Sequence, residues 1–482
     1  MTERSYSAEE FLFGVCWYPE QWPEERWERD LARMAEGSMN VVRVGESAWS
    51  VWEPEEGVFD PSLFDRSIAL AVRHGMKVVV GTPSYAPPAW LTRRYPEVLR
   101  ADFHGTPMRH GSRRHYSYSS PAYREHVRRI VTWQARHYGA DQRVIGWQVD
   151  NELNNAMDAS FAEADHQAWR AWLIRRYGTL AALNGAWGTV FWSHTYTAWE
   201  QLRLPEPTVT FHNPHLLLDF YRFTSDSAVE FCAFQSAILR EHVRGQWITH
   251  DGHYANLDAD ALTQRALDFL SYNNYPLFPL LRDDLPEGYR DRFAGARLSV
   301  IRSASPKFIV FEQQAGPSGQ VGGPYIETKR DYLHPSPAPG QLRLWSWQAV
   351  AHGADAMIYF RWRTLPYGAE YLWHGLLDYG DQSHRRLQEV TRFGKEARRV
   401  QELILGTHVA AQVGIVQDYD AESDALIASQ HAAARRGTET ALAAALSFRH
   451  LTADRVPARR VLEGEGLSRY CALFYLDAQM LD

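Results

Sequence analysis

Eight short apolar segments alternate with helical segments over about 390 residues of this 482-residue chain. Apolar runs of this length, separated by helices, are typical of parallel β-strands buried on both faces. The predicted strands cover residues 11–18, 40–46, 76–83, 144–153, 246–251, 269–276, 307–314 and 356–363. Eight such strands with connecting helices predict an α/β fold of the (β/α)8 TIM-barrel class.

The main alternative is an open, doubly wound parallel sheet. Folds of that class usually carry a glycine-rich phosphate-binding turn after the first strand. No such turn follows Tyr18, and the barrel is therefore the preferred prediction. The predicted helices cover residues 24–36, 61–75, 121–138, 161–177, 211–243, 340–353 and 385–403.

The chain changes character after the helical segment at 385–403. Residues 409–417 and 470–476 are predicted strands, and the alanine-rich segment 438–446 is a predicted helix. Two strands and one helix are too few for a finished domain. We therefore expect residues 1–400 to form the barrel and residues 401–482 to form part of a second α/β domain.

Composition restricts the possible partners. The net charge is -7, which does not favour binding to nucleic acid or to an anionic membrane. Three widely spaced cysteines offer no CxxC pair, and no segment resembles a signal peptide or a membrane span. We expect a cytoplasmic protein that uses no cofactor. The 18 Trp and 24 Tyr residues suit the apolar faces of sugar rings.

The candidate chemistry lies at the ends of two predicted strands. The fourth strand turns polar at Asn151 and Glu152, and the seventh ends with Glu312. Side chains at the carboxyl ends of barrel strands face the active site. In retaining glycosidases two carboxyl groups lie ~5–5.5 Å apart. Taken alone, Glu152 could simply cap the next helix, but a second acid in a matching position favours glycoside hydrolysis.

The motifs GWQVDNEL and, 160 residues later, FEQQAGP resemble glycoside hydrolase family 42, the microbial β-galactosidases. NVVRVGESAWSVWEPEEGVFD, SRRHY, LNGAWGTVFWSHTY, NNYP and HGADAMIYFRWR also resemble that family's signatures, in its order. The resemblance runs from about Phe11 to the C-terminus. It implies a retaining exo-β-galactosidase that hydrolyses terminal β-D-galactose from galactosides, with Glu152 as general acid/base and Glu312 as nucleophile. Such a pair should combine a raised pKa at Glu152 with an ionised Glu312.

The same resemblance implies a set of substrate contacts. Matching positions in this chain are Arg43, Arg114, Asn151, Tyr275, Glu370 and His374. Read without the family, both arginines fit surface or loop ion pairs. Glu370 and His374 would equally fit an ordinary helical turn.

Two positions depart from the family pattern. Gln320 stands where many members have a tryptophan in the sugar pocket, so stacking is expected to weaken unless Trp362, Trp373 or Tyr325 replaces that wall. Some members bind structural zinc through cysteines, but this chain has Ser117 at the first such position and no cysteine within residues 153–160. We therefore predict no metal site.

Complete members of the family continue through a trimerisation domain, and this chain ends inside the region that resembles it. A homotrimer is expected if that domain is complete. Three alternatives to a β-galactosidase stay open. They are the related β-D-fucosidase or α-L-arabinopyranosidase activities, a sugar-binding protein without catalysis, and another barrel glycosidase such as a β-glucosidase or endo-galactanase.

Overall fold

Eight parallel strands form one sheet in a computed structural model that describes residues 9–155, 159–252, 254, 256–322, 331–380, 382, 384–464 and 466–476. Their order is β5-β4-β3-β2-β1-β8-β7-β6, with every neighbouring pair parallel. A further parallel bridge between Asp251 and Ser271 joins the two outer strands. The sheet therefore closes on itself, and the predicted (β/α)8 barrel is confirmed.

Each strand overlaps its predicted segment. The strands are β1 (Leu12–Cys16), β2 (Val41–Val44), β3 (Lys77–Gly81), β4 (Val144–Gln148), β5 (Trp247–Thr249), β6 (Tyr272–Asn274), β7 (Phe308–Gln314) and β8 (Ala354–Phe360). All seven residues of β7 and of β8 are buried. This burial explains the apolar runs at the start of β7 and at the end of β8, since one face fills the barrel and the other packs against helices.

Helices cover the outside of the barrel and link its strands. They are α1 (Trp27–Glu36), α2 (Trp49–Trp52), α3 (Ser62–Arg73), α4 (Ala89–Arg94), α5 (Pro121–Tyr138), α6 (Glu163–Tyr177), α7 (Leu180–Trp187), α8 (Pro214–His242), α9 (Ala259–Ala266), α10 (Leu277–Leu280), α11 (Arg290–Ala304), α12 (Gln341–Ala351), α13 (Arg385–Arg399) and α14 (Gln401–Ile404). Short 3-10 helices lie at Pro19–Gln21, Glu24–Arg26, Pro96–Val98, Phe191–Ser193 and Trp199–Gln201. No helix in these described ranges combines the length and apolarity needed to cross a membrane.

A second, three-stranded parallel sheet follows the barrel. Its strands are β9 (Val413–Gln417), β10 (Ala453–Pro457) and β11 (Ala472–Phe474), in the order β10-β9-β11. Its helices are α15 (Tyr419–Ile427), α16 (Ser429–Phe448) and α17 (Ala458–Leu462), and a 3-10 helix lies at Leu467–Arg469. The two strands predicted here overlap β9 and β11, whereas β10 was not predicted.

The second sheet contacts the barrel through ion pairs. Arg302 on α11 donates to Asp454 on β10 at 2.7 Å, and both side chains are less than one-tenth exposed. The guanidinium of Arg222 on α8 pairs with Asp420 at 2.5 Å. The polar groups of this contact are therefore largely satisfied by one another.

Candidate active site

A cavity of about 740 Å³ opens at the carboxyl ends of the barrel strands. Carboxylate, amide, guanidinium and aromatic side chains line it, which suits a polar ligand that also has apolar faces. Five of the eight residues predicted from the sequence are in this lining: Asn151, Glu152, Tyr275, Glu312 and Glu370. Arg43, Arg114 and His374 are not.

Glu312 lies near the end of β7, where its carboxylate receives two short hydrogen bonds. Arg43 Nη2 donates to Oε1 at 2.6 Å, and the Tyr275 hydroxyl donates to Oε2 at 2.5 Å. The side chain is only slightly exposed. Both carboxylate oxygens are therefore fixed in direction, as a group that must meet a substrate atom requires.

Glu152 follows β4 in an unusual backbone conformation. Its φ of 44° lies in the left-handed region, which non-glycine residues seldom occupy. Its amide donates to Asp251 Oδ1 at 3.1 Å, which helps to hold that conformation. On the side chain, Asn273 Nδ2 donates to Oε1 at 3.0 Å and Asn155 Nδ2 donates to Oε2 at 2.6 Å.

Asn273 connects the two glutamates. It is paired with Glu312 in the ladder between β6 and β7, and its side-chain amide donates to Glu152. The same amide donates to Asp251 Oδ2 at 3.0 Å. Sequence analysis missed Asn273 and Asp251, although both stand at the ends of predicted strands, where functional residues are expected.

The pKa of Glu152 lies below its ordinary value. Burial raises the pKa, but the guanidinium groups of Arg113 and Arg114 lower it. Hydrogen bonds from Asn273 and Asn155 lower it further. The expectation of a raised pKa at Glu152 is therefore wrong, because it did not consider the two nearby cations.

The pKa of Glu312 is raised to about 7. Burial is the largest cause, and the negative charge of Glu152 adds to it. The Arg43 guanidinium and the Tyr275 hydroxyl act in the opposite direction without cancelling the rise. The pKa of Glu312 therefore lies above that of Glu152, the reverse of the expected order.

Arg43 does not face the cavity, contrary to its predicted role as a substrate contact. Its fully buried guanidinium lies below the floor of the site and donates to Glu46 at 3.1 Å, Asp251 at 3.4 Å and Glu312 at 2.6 Å. Nη2 also lies 3.4 Å from the Tyr18 hydroxyl. Arg43 is therefore not a surface ion pair but the buried cation that holds Glu312, and its predicted role as a substrate contact is not supported by its position.

The predicted contact Arg114 is also directed away from the cavity. Its φ of 61° is left-handed, and its guanidinium donates to the main-chain carbonyl of Asn151. The preceding residue, Arg113, lines the cavity instead, 3.4 Å from a carboxylate oxygen of Glu370. Spacing alone could not distinguish two adjacent arginines, because the backbone turn between them decides which one enters the site.

Glu370 and His374 also differ in whether they line the cavity. Glu370 lines the cavity beside Arg113. The His374 ring lies outside the lining, with Nδ1 3.0 Å from Asp378 Oδ1. His374 therefore supports the loop after β8, and its assignment as a substrate contact is not supported by its position.

Gln320 lines the cavity at the position where a tryptophan was expected. Trp373 is also in the lining, with its ring edge-on to Tyr275 at 4.9 Å between centroids. Trp362 is buried and is not part of the lining, and Tyr325 lies outside the described residues. Of the two proposed replacements that lie within the described residues, Trp373 is in the lining and Trp362 is not.

The region expected to lack zinc contains a hydrogen-bonded cluster. Ser117 donates to Asp165 Oδ1 at 2.7 Å, and Ser160 donates to Asp165 Oδ2 at 2.5 Å. Residues 156–158 lie outside the described part of the chain. Across the described ranges, no group of three or more His, Cys, Asp or Glu side chains is placed to hold a metal ion.

This chain is similar to known proteins both in sequence and in structure. The family model of glycoside hydrolase family 42, described as "Beta-galactosidase", matches residues 16–400. A beta-galactosidase of Thermus thermophilus is 42% identical over 426 residues, and the beta-galactosidase Bga of Halorubrum lacusprofundi is 38% identical over 420 residues. The crystal structure of a beta-galactosidase from the psychrophilic Marinomonas ef1 superposes with a TM-score of 0.86 at 35% identity.

These matches cover most of this chain but only part of the relatives. The alignments include 85% of this chain and 63% of the Thermus protein, and 84% of this chain and 58% of the Halorubrum protein. The superposition covers 96% of this chain and 72% of the Marinomonas structure.

Proposed function

The chain belongs to glycoside hydrolase family 42, and from that membership we propose that it is a retaining exo-β-galactosidase that releases terminal β-D-galactose from galactosides or galacto-oligosaccharides. One observation supports this proposal above the others. Glu152 and Glu312 line one cavity from β4 and β7, and Asn273 lies between them. Two carboxyl groups that converge on one cavity are what double displacement needs.

The proposed first step breaks the glycosidic bond. Glu152, in its protonated form, donates its proton to the glycosidic oxygen, while a carboxylate oxygen of Glu312 attacks the anomeric carbon. The bond to the aglycone breaks, and a covalent galactosyl ester forms on Glu312. Arg43 and Tyr275 favour the ionised form of Glu312 before the attack.

The second step releases the sugar. A water molecule attacks the anomeric carbon, and Glu152, now a carboxylate, accepts its proton. Glu312 leaves as a carboxylate, and galactose departs with its β configuration retained. Both steps use the same pair of groups, so each glutamate is needed for turnover.

We propose that the galactose hydroxyls meet Arg113, Asn151 and Glu370 from the cavity lining. A guanidinium, an amide and a carboxylate provide complementary donors and acceptors for vicinal hydroxyls. Trp373 and Tyr275 add apolar surface beside them. Charged and amide groups next to aromatic rings are typical of carbohydrate recognition.

The test is hydrolysis of p-nitrophenyl β-D-galactopyranoside by the 482-residue chain. Glu312→Ala and Glu152→Ala should each lower turnover by about 10³-fold or more. Glu53→Gln is the matched control, since Glu53 is fully buried and pairs with Arg129 outside the cavity lining. Near-normal turnover in either cavity variant would contradict the proposal.

Azide distinguishes the two roles. It is a small nucleophile that can enter the space left by either truncated side chain. Glu152→Ala with azide should give β-galactosyl azide, because azide attacks the covalent ester. Glu312→Ala should give the α product, because azide then attacks the substrate directly. The opposite pair of products would exchange the two assignments.

We further propose that residues 1–400 form the catalytic domain and residues 401–482 part of a domain that supports a homotrimer. The parallel sheet β10-β9-β11 supports a separate α/β unit in this region. Light scattering tests the assembly, since a trimer has three times the chain mass of 55.4 kDa. A cytoplasmic location is a prediction that the buried free thiols of Cys16 and Cys232 support.

A further inference from the structure

Asp251 lies two residues beyond β5, fully buried and outside the cavity lining. Its Oδ1 accepts a hydrogen bond from the Glu152 amide at 3.1 Å, and its own carbonyl lies 3.2 Å from the same amide. Its Oδ2 accepts from Asn273 Nδ2 at 3.0 Å and from Arg43 Nη1 at 3.4 Å. The side chain therefore lies outside the cavity lining and contacts the supports of both glutamates.

Each partner of Asp251 belongs to, or contacts, one of the two glutamates. The first partner is the main chain of Glu152 itself. The amide of Asn273 also donates to Glu152 Oε1. The guanidinium of Arg43 also donates to Glu312 Oε1. One buried carboxyl group thus connects the supports of side chains on β4 and β7.

We propose that Asp251 is a positioning residue that sets the geometry of Glu152 and the charge around Glu312. It holds the left-handed main chain of Glu152 through the amide, and it holds the arginine that orients Glu312. This inference rests on the proposed function, in which the two carboxyl groups must meet a single anomeric centre. It adds a residue to which the sequence motifs gave no role.

The hydrogen bonds favour the ionised form of Asp251. All three side-chain partners are N–H donors, and none of these groups can accept the proton of a neutral carboxyl group. Burial raises the pKa of Asp251 well above its ordinary value, and the charges of Glu312 and Glu152 add to that rise. Arg43 and Asn273 lower it. By reciprocity, a negative Asp251 raises the pKa values at which the glutamate pair titrates.

Several titratable or charged groups act on Asp251 from the surrounding elements. They are Cys16 at the end of β1, Arg43 on β2 and Glu46 after it, Glu152 after β4, His250 and Tyr254 beside β5, and Glu312 on β7. Among them, Glu312 has a pKa that is raised to about 7. A change in the charge of Asp251 should therefore appear in the pH profile.

The experiment compares Asp251→Asn with the wild-type chain on p-nitrophenyl β-D-galactopyranoside. We expect kcat to fall by roughly 10- to 100-fold, since small displacements of reacting groups have effects of this size. KM should change by less than about threefold, because Asp251 does not line the cavity. The descending limb of the kcat/KM profile should move down by about half a pH unit or more, because a negative charge is removed.

Asp355→Asn is the matched control. Asp355 is similarly buried and pairs with Lys307 at 2.6 Å, near the start of β8 and at the opposite end of the barrel strands. This variant should lower the melting temperature without changing kcat, KM or the pH profile. If Asp251→Asn does not fold, Asp251→Ser removes the same charge and undergoes the same measurements.

Unchanged kcat in Asp251→Asn would overturn the inference. A fall in kcat with an unmoved pH profile would also overturn it, because it would assign Asp251 a purely structural role. A change confined to KM would contradict a positioning role as well. A wild-type chain without galactosidase activity would overturn the proposed function together with this inference, whereas the other outcomes concern Asp251 alone.

Discussion

At the scale of single residues, the two site glutamates share one proton. The pKa of Glu152 is lowered and that of Glu312 is raised to about 7, so between these values the pair holds a single proton. The proposed reaction needs that state, with the proton on Glu152. Asn273 and Asp251, which contact Glu152, lie where they can influence the balance between the two sites.

This balance predicts a bell-shaped pH profile. As the pH rises through about 7, both glutamates ionise and no acid remains, so kcat/KM should fall. Below the lowered pKa of Glu152 both are protonated, no nucleophile remains, and kcat/KM should fall again. Initial rates from about pH 3 to about pH 9 at constant ionic strength measure both limbs. A profile that still rises above pH 8 would contradict this assignment (about one unit beyond the higher pKa).

The two adjacent arginines, Arg113 and Arg114, should have different functions. Arg113→Ala should lower kcat/KM by about 10- to 100-fold, because a charged hydrogen bond to the substrate is lost. Arg114→Ala should lower the free energy of unfolding by about 1–3 kcal/mol, because the buried carbonyl of Asn151 loses its donor. Kinetics and urea unfolding of both variants make the comparison. If Arg114→Ala had the larger effect on KM, it would be Arg114 that contacts the sugar.

Which of these residues the sequence could identify depends on local geometry. Glu152 and Glu312 could be placed because they end predicted strands, where barrel folds carry functional side chains. Arg43 also ends a strand, but its direction is set by three buried carboxylates that come from β2, β5 and β7. Such convergence across the sheet leaves no local signal in the sequence.

At the scale of elements, close strand contact at Gly81 controls the floor of the site. A Cβ added to Gly81 on β3 would lie 2.2 Å from Glu46 Cβ and 2.6 Å from Glu46 Cα. Both contacts are far below van der Waals distance. Glu46 in turn accepts from Arg43, which holds Glu312. The absent side chain thus leaves room for the carboxylates around Arg43.

Gly81→Ala should therefore destabilise the protein and weaken catalysis together. We expect a loss of about 1–3 kcal/mol in the free energy of unfolding, because backbone atoms must shift. Gly185→Ala is the control, since nothing lies within 4 Å of a Cβ at that exposed position on α7. It should be neutral or stabilising by up to about 1 kcal/mol. Equal stability of the two variants in urea unfolding would contradict the contact.

Two elements that were not predicted from the sequence, α11 and β10, mix apolar and polar residues without a clear period. α11 (Arg290–Ala304) contains one glycine, two serines and a buried arginine, so its helical period is obscured. β10 (Ala453–Pro457) has two adjacent charged residues and ends in proline, which argues against a buried strand. In the folded protein Asp454 pairs with Arg302 on α11, and Arg455 pairs with Glu439 on α16. Local pattern could not anticipate these partners.

At the scale of the whole molecule, the second sheet is fastened to the barrel by buried polar contacts. Arg302 donates to Asp454 and to the main-chain carbonyls of His352 and Ala453. A buried arginine with this many acceptors is costly to remove, because its partners stay buried without a donor. The contact joins α11, β10 and the start of β8 at one point.

Arg302→Ala should lower the free energy of unfolding by about 3 kcal/mol or more. Arg66→Ala is the control, because Arg66 pairs with Glu24 on the surface, with both side chains about half exposed. That change should cost less than about 1 kcal/mol. Urea unfolding followed by tryptophan fluorescence measures both. A loss in Arg302→Ala no larger than in the control would show that the sheet does not depend on this contact.

The closure of the barrel has a consequence for how the proposed site would respond to heat. Within the described residues, β5 and β6 are three residues each, and their segments are joined by the bridge from Asp251 to Ser271 and by a few further hydrogen bonds. Short strands with few shared bonds are the first to open in local fluctuations. Asp251 lies just beyond β5 and Asn273 lies on β6, so the two residues are on opposite sides of this junction. Local opening between β5 and β6 would separate these two residues and displace both glutamates while the other strands stayed paired. The geometry of the proposed site should therefore be lost at a lower temperature than the fold.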